Sequence, residues 1–236
     1  MKAIGIVGFK RSGKTTLGVR LALELSRTGQ RIAVLKHASG DIALPETDTS
    51  KYRPYVSFVA AIAPGATEIV LAGSQRLEDV LVYCDADLVL VEGFKQEKTF
   101  PKIVCLRDAA EGARLFDGLQ LFTAALQPDT ADVHILNDDD IKRIAPVVRQ
   151  RAFKLPALDC GLCGHDSCYA LAKRIVKGET SWEQCLERLP TLRITRDGER
   201  LPLEAPVAVA LRARITAVLS SLKDLQRGAI EIEIPE

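Results

Sequence analysis

"KAIGIVGFKRSGKTT", residues 2–16, decides the fold of this chain. A short apolar run, typical of a buried strand, leads into a turn rich in glycine and basic residues. Gly8, Gly13, Lys14 and Thr15 fit the pattern G-x-x-x-x-G-K-[ST], in which backbone N–H groups surround phosphate oxygens. The pattern is informative because it follows a predicted strand and begins a predicted helix. We call residues 8–16 the phosphate cradle.

The segments around the cradle predict a parallel sheet. A helix is expected from about Lys14, because Leu17, Leu21 and Leu25 recur at helical spacing, and residues 31–37 predict a second strand. A strand–helix–strand unit of this length is typical of α/β proteins. Further strand-like segments are 67–73, 86–94, 102–107, 119–126 and 131–136, and a closing helix is predicted at 138–152. We therefore predict an α/β fold, a three-layer α/β/α domain with a mostly parallel sheet.

Composition limits the function classes. The 32 basic and 31 acidic residues give a formal net charge of +1, which gives no reason to expect nucleic acid as the main partner. No apolar run has the length that crosses a membrane, and the first residues do not resemble a signal peptide. We expect a cytoplasmic protein, in which thiols stay reduced. Six cysteines then favour metal binding or catalysis over disulfides.

The chemistry of phosphate binding assigns roles to the cradle. The ammonium of Lys14 is expected to reach the β- and γ-phosphates, and the hydroxyl of Thr15 is expected to bind Mg²⁺. Both are therefore candidate catalytic residues. The remaining predicted nucleotide contacts in the cradle are Gly8, Lys10, Arg11, Ser12, Gly13 and Thr16.

A second group of polar residues is expected at the same edge of the sheet. Glu92 ends the apolar run "DLVLVE", and the carboxyl end of a central strand lies beside the phosphates in such folds. Glu92 is the third candidate catalytic residue, as the ligand of Mg²⁺ or of water, with a solvated strand-end carboxylate as the alternative. Lys36 and His37 end the second strand and are predicted nucleotide contacts, with plain surface residues as an equally good alternative. Asp48 is an equally good candidate for a phosphate sensor or a plain surface residue.

Four cysteines in the segment 154–190, which we call the cysteine segment, have the spacing of a metal site. Three of them lie within nine residues and a fourth follows a predicted helix; they are Cys160, Cys163, Cys168 and Cys185. A structural zinc ribbon uses two C-x2-C pairs, and only one is present. A [4Fe–4S] cluster, held by a tight loop and a distant fourth thiolate, is favoured over zinc and over disulfides or free thiols. Cys84 and Cys105 are expected to be packing residues.

Two resemblances add to these predictions. "GFKRSGKTT", "VLKH", "DLVLVEGFK" and "PKIVCLRD", in this order, resemble the molybdopterin-guanine dinucleotide biosynthesis protein B (MobB) family over residues 1–150. The spacing after Asp48 departs from that family, which leaves its role open. "CGLCGHDSCYALAKRIVKGETSWEQC" is similar to the iron–sulfur module of corrinoid iron–sulfur proteins.

The MobB resemblance implies a function. Members of that family bind GTP, hydrolyse it slowly and support attachment of GMP to molybdopterin. A guanylyltransferase or a molybdenum or tungsten enzyme is the implied partner, and a homodimer is possible. The chain lacks the Asn-Lys-x-Asp motif that reads guanine, so the preference for GTP rests on the resemblance. The cluster would then sense redox state or dock a partner.

Two other functions stay open. The chain could be a nucleotide-gated electron donor that activates a metalloenzyme, or a non-catalytic adapter that binds nucleotide and passes it on. In each case the predicted domains are 1–153 for nucleotide, 154–190 for the cluster, and 191–236 as a small α+β unit. That last unit is predicted to contain a hairpin around Asp197-Gly198 and a helix at 206–224.

Overall fold

The structure is a computed structural model, and the chain divides into two compact units, Met1–Leu186 and Glu187–Glu236. This division places the cysteine segment, as far as residue 185, in the unit that carries the cradle. The predicted domain boundaries at 153 and 190 stay predictions. The structure describes residues 2–38, 40, 42, 46–73, 75–81, 83–185, 195–196, 199–200, 211 and 214–215.

The first unit is built on a six-stranded parallel sheet with strand order β2-β5-β1-β6-β7-β8. Its strands are β1 (Lys2–Gly8), β2 (Ile32–Lys36), β5 (Leu88–Glu92), β6 (Lys102–Leu106), β7 (Gln120–Ala125) and β8 (Val133–His134). The helices are α1 (Lys14–Ser26), α2 (Leu77–Leu81), α3 (Gly112–Leu115), α4 (Asp138–Arg151) and α5 (Cys168–Lys177).

Helices cover both faces of the sheet, which confirms the three-layer prediction. Alternate residues of the central strands point to opposite faces, so Ile4 and Leu90 pack with α1 and α4, whereas Ala3 and Val89 pack with α2. The β5 run is buried over four consecutive residues, as a central strand covered on both faces must be. Both faces of the central strands β1, β5 and β6 are therefore core, which leaves the ends of these strands for polar function.

Residues 58–71 differ from the prediction. The strand predicted at 67–73 is present as β4 (Ala66–Leu71), but it pairs antiparallel with β3 (Phe58–Ala63) in a separate two-stranded sheet. Strand β3 was not predicted, because its repeated alanines give no contrast between two faces. The strand predicted at 131–136 is shortened to β8.

Within the part of the chain that the structure describes, no helix is long and apolar enough to cross a membrane. In the second unit, β9 (Thr195–Arg196) pairs antiparallel with β10 (Glu199–Arg200), which confirms the predicted hairpin. Its turn residues lie outside the described residues. Leu211, Arg214 and Ile215 are helical, and the rest of the helix predicted at 206–224 lies outside the described residues.

Candidate nucleotide site and cysteine segment

The phosphate cradle joins β1 to α1 by a turn that only glycine fits. A Cβ atom at Gly8 would lie 2.4 Å from both the Cys105 carbonyl oxygen and the Ser12 hydroxyl. Gly13 caps α1 in the left-handed region, with φ +83°, and no side chain caps the helix. The first N–H groups of α1 are therefore left without a side-chain cap, as at an anion-binding helix N-terminus.

The side chains of the cradle differ in their exposure. Ser12 is buried and its hydroxyl has no partner among the described residues, whereas Lys10, Arg11 and Thr16 are exposed. The Lys14 ammonium donates a hydrogen bond of 2.6 Å to the Phe9 carbonyl oxygen of its own loop. Burial lowers the pKa of Lys14, and the nearby Glu92 carboxylate partly offsets this effect.

Three polar groups meet at the first turn of α1. The Thr15 hydroxyl donates to Glu92 Oε1 at 2.8 Å, and the Lys36 ammonium lies 3.2 Å from Thr15 Oγ1 and 3.1 Å from Glu92 Oε1. The sheet register explains this meeting, because Lys36 pairs with Glu92 across β2 and β5. The structure thus brings together two oxygen groups suited to Mg²⁺ and a cation between them.

The side chains of two further candidates have other partners. The backbone N–H of His37 donates to the Glu92 carbonyl oxygen at 2.9 Å, and its ring packs edge-on against Phe94. Asp48 begins a short 3₁₀ turn and is exposed, where it pairs with Lys51 at 2.8 Å. The structure therefore does not bring Asp48 into the group of Thr15, Lys36 and Glu92.

One feature of the site was missed by sequence reasoning. The ring of Phe9 is surrounded by cations, with Lys95 Nζ 4.3 Å, Arg114 Cζ 4.9 Å and Arg107 Cζ 5.7 Å from its centroid. We call these four residues the Phe9 patch. Phe9 itself packs on a small core beneath α3 that contains Val7. No sequence motif links these positions, because they meet only through the order of strands in the sheet.

The cysteine segment is anchored by polar contacts and a small apolar cluster. The Cys168 N–H donates to Asp159 Oδ1 at 2.6 Å, and the Gln184 side-chain amide donates to the Cys163 carbonyl oxygen at 3.2 Å. Cys163, Cys168 and Cys185 pack in the same apolar cluster. The capping-box pattern of Thr180 and Glu183 predicts a helix that contains Cys185, and this prediction is wrong, because a 3₁₀ turn ends at Gln184 and Cys185 follows it in extended conformation. Burial raises the pKa of the Cys168 thiol.

The donor chemistry of this segment fits an iron–sulfur cluster, since all four of its cysteines are free thiols. Among the described residues, no three His, Cys, Asp or Glu side chains are grouped as around a metal ion. Cys105 is buried in the main core and Cys84 packs near α2, which confirms their prediction as packing residues.

The cysteine segment packs directly on the nucleotide-binding part of the same unit. The Leu155 N–H donates to the Thr99 carbonyl oxygen at 2.8 Å, and the Tyr169 hydroxyl donates to the Asp117 carbonyl oxygen at 2.5 Å. Asp117 also accepts a hydrogen bond of 2.6 Å from Lys102, which is buried. Asp117 therefore links α5 to the start of β6.

Fold and cradle together define an α/β protein of the P-loop nucleotide-binding type. The family model described as "Molybdopterin guanine dinucleotide synthesis protein B" matches residues 3–126, just over half of the chain. The chain therefore belongs to the MobB family. A second model, described as "Putative Fe-S cluster", matches residues 155–186.

Relatives and solved structures agree with this assignment. A Methanocaldococcus jannaschii protein named "Putative molybdopterin-guanine dinucleotide biosynthesis adapter protein" is 30% identical over 99% of this chain and 97% of its own length. The Haemophilus influenzae "Molybdopterin-guanine dinucleotide biosynthesis adapter protein" is 29% identical over 61% of this chain and 86% of its own. The crystal structure of a MobB homologue from Bacillus stearothermophilus is 28% identical, with TM-score 0.50, over 64% of this chain and 99% of its own.

Proposed function

We propose that this chain binds GTP with Mg²⁺ in the phosphate cradle, hydrolyses it slowly, and supports maturation of a molybdenum or tungsten cofactor to its guanine dinucleotide form. The observation that carries this proposal is the 2.8 Å contact between the Thr15 hydroxyl and the Glu92 carboxylate beside the cradle. Two such oxygens, one in the first turn of α1 and one at the end of β5, are suited to a phosphate-bound Mg²⁺. Membership of the MobB family supports the choice of pathway.

Each polar group at the cradle has a role in this proposal. Lys14 leaves the Phe9 carbonyl oxygen and binds the β- and γ-phosphates, while the loop N–H groups bind phosphate oxygens. Thr15 binds Mg²⁺ directly, and Glu92 holds either the metal or the attacking water. Catalysis consists of positioning and charge stabilisation, so the intrinsic rate is slow.

Lys36 acts as a competitor for the metal position. Its ammonium lies within 3.2 Å of the same two oxygens that Mg²⁺ would use. With Mg²⁺ and nucleotide bound, the Lys36 side chain would have to leave these oxygens, and the phosphate groups of the nucleotide would offer it a new partner of opposite charge. Glu92 would then be paired with Lys36 in the free protein and with Mg²⁺ in the bound protein. Its largely buried carboxylate would have a cation in both states, which avoids the cost of an uncompensated charge.

The cysteine segment would hold a [4Fe–4S] cluster through Cys160, Cys163, Cys168 and Cys185. Two features support this assignment. Cys168 and Cys185 are buried, and both share an apolar cluster with Cys163. Such surroundings would shield an iron–sulfur cluster from solvent, which is one way in which proteins set its reduction potential. When bound, the cluster supplies one-electron redox chemistry. In this chain it serves to sense redox state or to dock a partner.

A guanylyltransferase or a molybdenum or tungsten enzyme is the proposed partner, and a second copy of this chain is the proposed assembly. The hairpin of β3 and β4 supports a homodimer, because it exposes large apolar side chains: Phe58 is 52%, Ile62 is 85% and Ile69 is 44% exposed. Sedimentation of the purified protein measures this directly.

A non-catalytic adapter is the second candidate, favoured by the word "adapter" in the names of relatives. Phosphate release from GTP and from ATP, measured with Mg²⁺, separates the two functions. We expect slow, Mg²⁺-dependent turnover that prefers GTP and that is reduced in Glu92→Gln. Nucleotide binding with no turnover, even with the partner present, would favour the adapter.

A further inference from the structure

The Phe9 patch lies beside the group of Thr15, Lys36 and Glu92 and shares no residue with it. Thr15, Lys36 and Glu92 meet on the side of β1 that faces β5 and β2. Arg107 follows β6, on the other side of β1, and Arg114 lies in α3, next along the chain. Lys95, however, follows β5, three residues after Glu92, so the patch reaches across the cradle from the β6 side to the β5 side.

The charge of the patch is only partly balanced. Both carboxylate oxygens of the buried Glu111 are engaged by Arg107, one by its guanidinium and one by its backbone N–H at 3.0 Å. Within the described part of the chain, Lys95 and Arg114 show neither a hydrogen bond nor an ion pair to a carboxylate; Arg114 acts on Glu111 only at longer range. Lys10 and Arg11, the next residues of the loop, are exposed and add positive charge.

An aromatic ring does not neutralise such a set of charges. A cation over an exposed ring gains about 0.5–1 kcal/mol, but the cations still repel one another. A phosphate dianion removes the repulsion and offers the oxygens that a guanidinium binds in pairs. Three cations from three different elements lie around one side chain and thus offer the donors that a phosphate group binds.

We infer that the Phe9 patch binds the phosphate group of a second ligand, a phosphate monoester distinct from the nucleotide in the cradle. This inference rests on the proposed function, since it takes the cradle to hold the nucleotide phosphates. A nucleotide and a phosphate monoester would then lie side by side at one sheet edge. That arrangement suits a protein that presents both compounds to a transferase.

The test uses the full-length, cluster-loaded protein with Mg²⁺ and a saturating non-hydrolysable GTP analogue, so that the cradle is filled. Calorimetric titration with inorganic phosphate and with glycerol 3-phosphate at low salt should show saturable binding. The double variant Lys95→Gln/Arg114→Gln should weaken this binding by about tenfold or more, with unchanged affinity for the analogue. The double variant Lys142→Gln/Arg149→Gln, on the exposed face of α4, is the matched control and should bind phosphate as the wild type does.

Three results would overturn the inference: no phosphate binding when the cradle is filled, equal binding by the patch variant, or a patch variant that loses the GTP analogue as well. The last result would assign the patch to the nucleotide itself. A parallel titration of Lys14→Ala without nucleotide separates this inference from the proposed function. Phosphate binding that survives Lys14→Ala and is lost when Lys95 and Arg114 are also replaced supports the patch even if GTP does not bind. If phosphate binding by Lys14→Ala is unchanged when Lys95 and Arg114 are also replaced, the Phe9 patch is not the phosphate site.

Discussion

The phosphate cradle and the cysteine segment place their ligand-binding groups by different means. The cradle follows a buried strand, and the neighbouring strands β5 and β2 bring Glu92 and Lys36 to Thr15 through backbone pairing. The cysteine segment instead depends on a loop, a ten-residue helix and a 3₁₀ turn. The sheet therefore fixes the geometry of the first site before any ligand binds. The four cysteines of the second site lie on one connected segment, and among the described residues no three His, Cys, Asp or Glu side chains are grouped as around a metal ion, so we expect that binding of a cluster would draw them together.

The largest expected effect breaks the cradle. Lys14→Ala removes the ammonium that would bind two phosphate groups, so GTP affinity should fall by about a hundredfold, the cost of losing a charged hydrogen bond. Fluorescence titration with a GTP analogue measures this change. Lys142→Ala, an exposed lysine on α4, is the control. Iron content should be the same in both variants. Unchanged GTP affinity in Lys14→Ala would contradict the assignment of the cradle as the nucleotide site.

The next effect breaks the cysteine segment. Cys163→Ser should lose bound iron and the broad visible absorption of a cluster, while GTP affinity stays unchanged, because the cradle does not depend on that loop. Iron analysis and absorption spectra of anaerobically purified protein provide the measurement. Cys84→Ser is matched in chemistry but lies near α2, and it should keep all its iron. Full iron content in Cys163→Ser would show that Cys163 is not a ligand of the cluster.

A smaller effect tests the junction between the two regions. Asp117→Asn leaves the buried Lys102 without its carboxylate, so the free energy of unfolding should fall by about 3 kcal/mol. Chemical denaturation measures the change. Asp48→Asn, which disrupts only an exposed pair, should leave stability nearly unchanged. Equal stability of wild type and Asp117→Asn contradicts a structural role for this pair.

The same pair predicts a pH dependence. Burial alone would raise the pKa of Asp117, but hydrogen bonds from Lys102 and Lys98 outweigh it and hold the pKa below its usual value. The stability that this pair contributes is therefore present above the unfolded pKa of about 3.9 and is lost as pH falls through the lower folded pKa. Denaturation below about pH 4 should show a shallower pH dependence in Asp117→Asn than in the wild type.

The smallest expected effect tests the exchange of cations at Glu92. Lys36→Met removes the competitor for the metal position, so the Mg²⁺ concentration that half-saturates GTP binding should fall by about fivefold, as expected from about 1 kcal/mol for a half-exposed ion pair. Titration with Mg²⁺ at fixed nucleotide analogue measures it. Lys51→Met, an exposed lysine elsewhere, serves as the control. A higher Mg²⁺ requirement in Lys36→Met would show that Lys36 supports the metal.

The sequence predicts those regions whose structure follows from a local pattern of residues. It does not predict those regions whose structure depends on contacts between segments far apart in the chain. The cradle could be predicted, because a strand, a glycine turn and a helix follow one another directly. The position of Glu92 at the end of a buried strand could be predicted as well, since the apolar run before it marks that strand in the sequence. Strand β3 could not be predicted, because its alanines hide the alternation of apolar and polar residues. The Phe9 patch could not be predicted either, because its cations come from three separate elements.

The most direct test of the difference between the two regions is titration of the protein with GTP and with ATP in the presence of Mg²⁺, before and after its iron is stripped. If the sheet alone fixes the cradle, GTP is preferred and its affinity differs by less than about fivefold between the two forms. A preference for ATP, or a larger loss of affinity on removal of iron, would contradict the account. The loss of affinity would mean that the cysteine segment and the cradle are energetically coupled, as a nucleotide-gated electron donor requires, whereas a preference for ATP would contradict the choice of GTP.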